Sequence, residues 1–203
     1  MERSLKAGFE YRGCILCYVL DKDETDFMVH LQYQIAKEEK IRQDLVSSSG
    51  FCNFHFYQMA RLTSPKVIAV LTKELVERET REIKNGSLGS VEETDCAVCQ
   101  YVKKREEFYL EELRVFLPDK SFQNEYESTD GLCRVHLKRV LDLLNENDLR
   151  RFLLTTQTMQ LKLLRMELET FISKVRSTFR DMGAEKNSWS VAVQKWVGKM
   201  GLS

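Results

Sequence analysis

Eight cysteine and histidine side chains stand in two copies of one pair of short motifs, a C-x-x-C followed by a C-x-x-H. Three thiolates and one imidazole make a closed tetrahedral ligand set that is common for structural zinc. The motifs use all 6 cysteines and 2 of the 3 histidines, so no cysteine is placed elsewhere in the chain. The sequence therefore predicts two Cys3His metal sites, with the ligands Cys14, Cys17, Cys52, His55, Cys96, Cys99, Cys133 and His136.

The spacing of the motifs indicates an internal duplication. The first cysteines of the two C-x-x-C motifs are 82 positions apart, and the cysteines of the two C-x-x-H motifs are 81 apart. The gap between the second and third cysteine is 34 residues in the first copy and 33 in the second. We therefore interpret the chain as two repeats, residues 1–88 and 89–180, with a C-terminal segment 181–203 packed on them in one compact unit.

Each motif can present two ligands to one point, because residues i and i+3 lie on the same side of a helix. Helix starts also favour thiolates, since their free amides and the macrodipole stabilise negative charge. Two pairings are compatible with the sequence. Either each repeat closes its own site, or the C-x-x-C of one repeat meets the C-x-x-H of the other. The equal spacing favours closure within each repeat by parsimony alone.

Zinc is the expected ion, because a reducing cytosol keeps paired cysteines as thiols that bind metal. The alternative cofactor is an iron–sulfur cluster, which helical proteins also hold through widely separated cysteines. Such clusters more often take four cysteines than three cysteines and a histidine. A third interpretation, that the cysteines are ordinary buried apolar residues, requires the pattern to arise twice without purpose.

The composition predicts an all-α fold, a helical bundle of about three helices per repeat plus a C-terminal helix. Only 2 prolines and 9 glycines occur, too few for a strand-and-turn architecture. We place helices at about 14–46, 51–64 and 66–84 in the first repeat and at 96–117, 132–145 and 148–180 in the second. Residues 85–90 read as a linker, 94–95 as a helix N-cap, and 119–131 as a polar loop.

Two apolar patterns in the last third of the chain are interpreted as core. The first is a helical stripe formed by Leu161, Leu164, Leu168, Phe171 or Ile172, Val175 and Phe179. The second is the pair Trp189 and Trp196, which we expect to anchor the last amphipathic helix to the bundle. An interface with a second copy of the chain is a further use for this final helix, so a homodimer is compatible with the sequence.

The charge balance gives no reason to expect nucleic-acid binding, since the formal net charge is zero. Residues 134–203 carry 13 Lys or Arg against 7 Asp or Glu, which we interpret as a solvated helix surface. Neither a signal peptide nor an apolar run long enough to span a membrane is present. We therefore expect a cytoplasmic protein.

Five segments resemble an uncharacterised family of bacterial and archaeal helical proteins, a domain of unknown function. They are residues 13–17, 50–55, 95–99, 131–136 and 189–198, and the resemblance spans nearly the whole chain. It implies a prokaryotic cytosolic protein with eight candidate ligands, and it brings no established activity. Leu132 stands where the first copy has Phe51, which leaves the candidate ligands unchanged.

The motifs of common enzymes are absent, among them the phosphate-binding loops and the nucleophile elbow of hydrolases. Four protein ligands also leave no open position on a metal for substrate or activated water. We therefore expect a non-enzymatic structural, interaction or regulatory module that binds an unidentified protein partner. The alternative function is an iron–sulfur electron carrier or redox sensor.

Overall fold

The structure, a computed structural model, describes residues 4–87, 96–176 and 183–198. Helices and the turns between them make up these ranges, and no strand occurs in them, so the predicted all-α class is confirmed. None of the described helices is long and apolar enough to cross a membrane. Residues 88–90 of the predicted linker, the N-cap at 94–95 and the helix end at 177–180 lie outside the described residues.

Nine α-helices and two short 3-10 helices are present in the described ranges. The 3-10 helices are Ser4–Gly8 and Ala184–Asn187. The α-helices are α1 (Ile15–Lys37), α2 (Glu39–Ser47), α3 (Asn53–Leu62), α4 (Pro65–Lys84), α5 (Ala97–Phe116), α6 (Lys120–Glu127), α7 (Arg134–Leu143), α8 (Asn147–Arg176) and α9 (Ser188–Val197).

The chain divides into two compact units that differ in range from the predicted repeats. The terminal unit contains Met1–Asp21 and Glu106–Ser203, and the central unit contains Lys22–Arg105. Each unit therefore draws on both halves of the sequence. The repeat boundaries themselves, at residues 88 and 180, stay a prediction.

In the central unit, the single helix predicted over residues 14–46 is two helices. Glu38 has an extended backbone, with φ −111° and ψ 109°, and separates α1 from α2. The Arg42 guanidinium donates to the Ile35 carbonyl at 3.0 Å and to the Glu74 carboxylate of α4 at 2.7 Å. It thereby satisfies a carbonyl that the ended helix leaves free and ties α2 to α4.

In the terminal unit, the predicted polar loop 119–131 contains the helix α6. Asp119 is its N-cap, because its carboxylate accepts from the backbone amide of Ser121 at 2.8 Å. Phe122 and Tyr126 lie one turn apart on this helix and are fully buried. The prediction of a loop was wrong because polar residues between these two aromatics obscured a short amphipathic pattern.

The apolar stripe predicted to be core on α8 is only partly buried. Leu164 is buried and Leu168 and Phe171 are half-buried, whereas Leu161, Ile172 and Val175 are 46%, 49% and 58% exposed. The buried face of α8 is richer in polar groups than the pattern indicated, with Gln157 among its buried residues. Leucine spacing alone did not reveal that α8 buries glutamine side chains.

The two tryptophans of α9 do not anchor it, contrary to the prediction. Trp189 is 56% exposed and Trp196 is 66% exposed, and the Arg134 guanidinium lies 5.1 Å from the Trp196 ring centroid. The residues of α9 that are buried include Val191 and Lys195. This helix packs against α7 and α8 through the side opposite the tryptophans.

Candidate metal centres

The eight predicted ligands lie in two clusters of four. The terminal site, in the terminal unit, is formed by Cys14, Cys17, Cys133 and His136. The central site, in the central unit, is formed by Cys52, His55, Cys96 and Cys99. In each site the donor atoms all lie within 4.8 Å of one another. Each site combines the C-x-x-C of one repeat with the C-x-x-H of the other, so the pairing that parsimony favoured is not the one observed.

The terminal site is fully enclosed. Its His136 Nδ1 lies 3.4 Å from each of the three sulfurs, those of Cys14, Cys17 and Cys133. The sulfurs of Cys17 and Cys133 are 3.9 Å apart. All four side chains are buried, with at most 1% of any residue exposed. The donor atoms therefore face one another in a space closed to solvent.

Two helix starts position the ligands of the terminal site. Cys14 directly precedes α1, and Cys17 lies in its first turn. Cys133 is the N-cap of α7, and its sulfur accepts from the backbone amide of His136 at 3.5 Å. At the start of α7 the His136 amide thus faces a sulfur, whereas at the start of α1 the Cys14 amide donates to Gln194 Oε1 and the Ile15 amide to the Gly131 carbonyl.

Two buried glutamine side chains of α8 form hydrogen bonds with the backbone segment that leads into Cys133. Gln157 Oε1 accepts from the Leu132 amide at 3.1 Å, and Gln160 Nε2 donates to the Thr129 carbonyl at 2.9 Å. Gly131 has a φ of +74°, and a Cβ there would stand 2.0 Å from Gln160 Oε1. Glycine is therefore required at this position for both its backbone conformation and its lack of a side chain.

A buried lysine from α9 lies beside the terminal site. Lys195 Nζ donates to the carbonyls of Asp130 and Leu132, the second at 3.2 Å. Burial lowers the pKa of Lys195, although the nearby Cys14 and Asp130 oppose this shift. A cation here offsets negative charge on the thiolates, a role that sequence reasoning did not assign to Lys195.

The central site has the same donor set but is open on one side. His55 Nδ1 lies 3.1 Å from the Cys52 sulfur, 3.4 Å from that of Cys96 and 3.3 Å from that of Cys99. Cys52 is the N-cap of α3, and Cys96 directly precedes α5. Cys96 and His55 are buried, Cys52 is half-buried and Cys99 is exposed. The two sites therefore differ in solvent access more than in geometry.

A glutamate stands behind each histidine. Glu106 Oε1 lies 3.1 Å from His136 Nε2. Glu24 Oε1 lies at an ion-pair distance of 3.5 Å from His55 Nε2, which makes no hydrogen bond within the described part of the chain. The guanidinium of Arg139 also pairs with Glu106. Each carboxylate can hold its imidazole with Nδ1 toward the sulfurs, as carboxylates do behind metal-bound histidines.

Sequence reasoning missed both glutamates, although a signal was present. Each follows the second cysteine of a C-x-x-C by seven residues, Glu24 after Cys17 and Glu106 after Cys99. The repeated unit is therefore C-x-x-C-x6-E rather than C-x-x-C. In both copies the glutamate contacts the histidine of the site to which its own C-x-x-C does not belong.

The electrostatics of both clusters favour a cation among the donor atoms. Burial lowers the pKa of His55, but the Cys96 sulfur and the Glu24 carboxylate raise it more, to about 10. Burial raises the pKa of Cys96, but His55 lowers it more, to about 6. The pKa of His136 is likewise raised, against burial, by Cys133, Cys14 and Glu106. A proton on each histidine occupies the position where a metal ion would supply positive charge.

The distances between donor atoms suit a single metal ion. A tetrahedral ion with sulfur ligands at about 2.3 Å holds those sulfurs about 3.8 Å apart. The observed sulfur–sulfur separations are 3.9 Å in the terminal site and 3.7 Å in the central site. Both four-residue groups could therefore hold a metal ion.

The fold and sites define an all-α protein with two buried or partly buried Cys3His clusters. The chain belongs to a family of unknown function, DUF6062, whose family model matches residues 88–202. This confirms the expected membership in an uncharacterised family. The matched range includes Cys96, Cys99, Cys133 and His136, half of each site. Neither the comparison with curated proteins nor that with solved structures returned a match.

Proposed function

We propose that this protein is a zinc-binding helical module in which each Cys3His cluster binds one Zn²⁺ and joins two helix starts. The observation that carries the proposal is the convergence of four donor atoms within 4.8 Å at both sites. Three thiolates and one imidazole are a standard ligand set of structural zinc. The ion would supply folding free energy, because ligands distant in sequence are fixed together only when it is bound.

The spacing of the donors supports a single ion over an iron–sulfur cluster. In a cluster of four irons the protein ligands bind different metal atoms, so their sulfurs stand farther apart than around one ion. Here all four donor atoms of each site lie within 4.8 Å of one another, and the Cys52 and Cys99 sulfurs are 3.7 Å apart, which suits ligands of one ion better than ligands shared among several irons. Histidine ligation of clusters is also the exception.

The role that we propose for the module is structural and regulatory, with a protein as partner. Four protein ligands fill a tetrahedral ion, so neither site has an open position for catalysis. The exposed apolar side chains of α9, Trp189, Val193 and Trp196, are of the type enriched in protein interfaces. We therefore propose that the surface of the helical module binds the partner and that the metal ions stabilise the fold.

The direct test is the metal content and visible spectrum of the protein purified without air. We expect about two zinc per chain and a colourless solution, since Zn²⁺ has a filled d shell. Iron with sulfide and a broad visible band would overturn the zinc assignment in favour of a redox protein. Metal-free protein with full stability would overturn the metal-binding proposal altogether.

Single variants assign the metal to the predicted ligands. Cys52→Ser and Cys133→Ser should each lower the zinc content to about one per chain. His30→Asn is the matched control, because His30 is exposed and is the one histidine outside the motifs. It should retain two zinc. Equal loss in all three variants would point to general misfolding instead of lost ligands.

A further inference from the structure

The two sites differ in how much of their sulfur faces solvent. All three cysteines of the terminal site are buried, whereas Cys99 of the central site is exposed and Cys52 is half-buried. Oxidants reach a metal-bound thiolate through solvent, so accessibility decides which thiolate reacts. The two sites therefore have the same four donor types but differ in how easily an oxidant in solution reaches their sulfurs.

The shielding of the terminal site comes from α9 as well as from its own motifs. Gln194 Oε1 accepts from the Cys14 amide at 3.4 Å, and Lys195 is buried against the carbonyls of Asp130 and Leu132. Val191 of the same helix is 6% exposed. These contacts lie in the terminal unit, and they leave its cysteines without a solvent-facing side.

We propose that the Cys52–Cys99 edge of the central site is an oxidation site, at which peroxide joins the two sulfurs and releases the metal while the terminal site keeps its own. This inference rests on the proposed zinc binding and adds a regulatory function to one of the two sites. The sulfurs of Cys52 and Cys99 are 3.7 Å apart, and a disulfide bond is about 2.05 Å long. The two sulfurs therefore need to approach by less than about 2 Å to form the bond.

The chemistry balances with hydrogen peroxide as the oxidant. The Cys99 thiolate attacks one peroxide oxygen and breaks the O–O bond, giving a sulfenic acid and hydroxide. The Cys52 thiolate then attacks that sulfur, and a second hydroxide leaves as the disulfide forms. Two thiolates lose two electrons, and the peroxide gains them. Zn²⁺ departs because Cys96 and His55 alone remain to bind it.

The third sulfur of the site does not compete for this reaction. Cys96 is 1% exposed, so peroxide reaches it last. The expected product is therefore one defined disulfide, which a thiol reductant with added zinc reverses.

The test uses the full chain loaded with zinc, whose stoichiometry is measured first. Fewer than two zinc before oxidation would contradict the proposed function, and this inference with it. Peroxide is then added while released zinc is followed with a chromophoric chelator. We expect one equivalent of zinc to be released, the second to be retained, and peptide mapping to find a Cys52–Cys99 disulfide. Loading with two zinc followed by release from both sites at one rate, or a different disulfide, would overturn this inference alone.

A variant that keeps a metal ligand but removes the reactive sulfur sharpens the test. Cys99→His should still bind two zinc as a Cys2His2 set, and peroxide should release its zinc at least tenfold more slowly. Release at the wild-type rate from the loaded variant would overturn the assignment of Cys99. If this variant fails to load, alkylation of the wild type decides: Cys52 and Cys99 should be modified well before the other four cysteines, and uniform modification would contradict the proposal.

Discussion

At the scale of single residues, side chains outside the eight candidate ligands contact the histidines of both sites. Glu106 is one such residue, because its carboxylate contacts His136 Nε2 and also pairs with the guanidinium of Arg139. Burial raises the pKa of Glu106, but His136 and Arg139 lower it more, so the carboxylate remains ionised. An ionised carboxylate fixes the tautomer and orientation of the imidazole behind which it lies.

Replacing this carboxylate should weaken metal binding without removing a ligand. Glu106→Gln should reduce the zinc affinity of the terminal site by about 10-fold to 100-fold, the usual effect of losing such a group. Competition with a chelator of known affinity measures the change. Glu107→Gln, at the exposed neighbouring position, is the control and should bind as the wild type does. Equal affinities in both variants would show that Glu106 does not orient His136.

The pH dependence of the central site follows from two raised pKa values, that of His55 at about 10 and that of Cys99 at about 12. Although Cys99 is exposed, partial desolvation of its sulfur within the cluster raises this pKa, and so does the negative Cys96 sulfur. Both groups bind zinc only after losing a proton, so zinc must displace protons at neutral pH. Affinity should therefore keep rising with pH from 7 to 9. Chelator competition in the Cys133→Ser variant, whose terminal site is disabled, measures this. An affinity that levels off near pH 7 would contradict the assigned shifts.

At the scale of elements, the short segment that precedes α7 positions a candidate ligand of the terminal site. Residues 129–132 lead into Cys133 and are hydrogen-bonded to α8 and α9. The Leu132 amide donates to Gln157, and the carbonyls of Thr129 and Asp130 accept from Gln160 and Lys195. The hydrophobic pattern of α8 did not predict this, because leucine spacing marked Leu161 and Val175 as core while Gln157 and Gln160 are buried. Buried amides follow from tertiary hydrogen bonding, which helical periodicity does not encode.

Gly131 should be the most sensitive glycine near a site. Gly131→Ala combines a positive φ with a Cβ that meets Gln160 Oε1, and should lower the free energy of unfolding by about 2–4 kcal/mol. Gly86→Ala is the matched control, since Gly86 has a φ of +72° but open space around it. It should cost about 1 kcal/mol from backbone strain alone. Chemical denaturation measures the free energy of unfolding of both variants. Equal decreases in the two would show that the Cβ at position 131 does not clash with Gln160.

At the scale of the whole molecule, the sequence predicted the fold class and the motifs better than it predicted which motifs lie together. The all-α class and the eight candidate ligand positions follow from motif spacing and composition, which are local properties; that these residues bind metal stays a prediction. The crosswise pairing of motifs is not local, since Cys14 meets His136 across 122 residues. The segment after the break at Glu38 likewise has a partner distant in sequence, since Arg42 donates to Glu74, 32 positions away.

Metal removal should affect the whole fold. The sites join helix starts from distant parts of the chain, so binding free energy is also folding free energy. A strong chelator under reducing conditions should lower the melting temperature and the helical circular dichroism signal, and added zinc should restore both. A chelator without effect on the melt of protein shown to have lost its metal would mean that the clusters are not structural.

Native mass spectrometry of two double variants shows whether each metal is held between repeats. Cys17→Ser with Cys133→Ser removes two ligands of the terminal site, so we expect one zinc to be retained. Cys17→Ser with Cys52→Ser removes one ligand from each site, so we expect no zinc to be retained. No zinc in the first variant and one in the second would show that each site closes within its own repeat and would overturn the crosswise pairing.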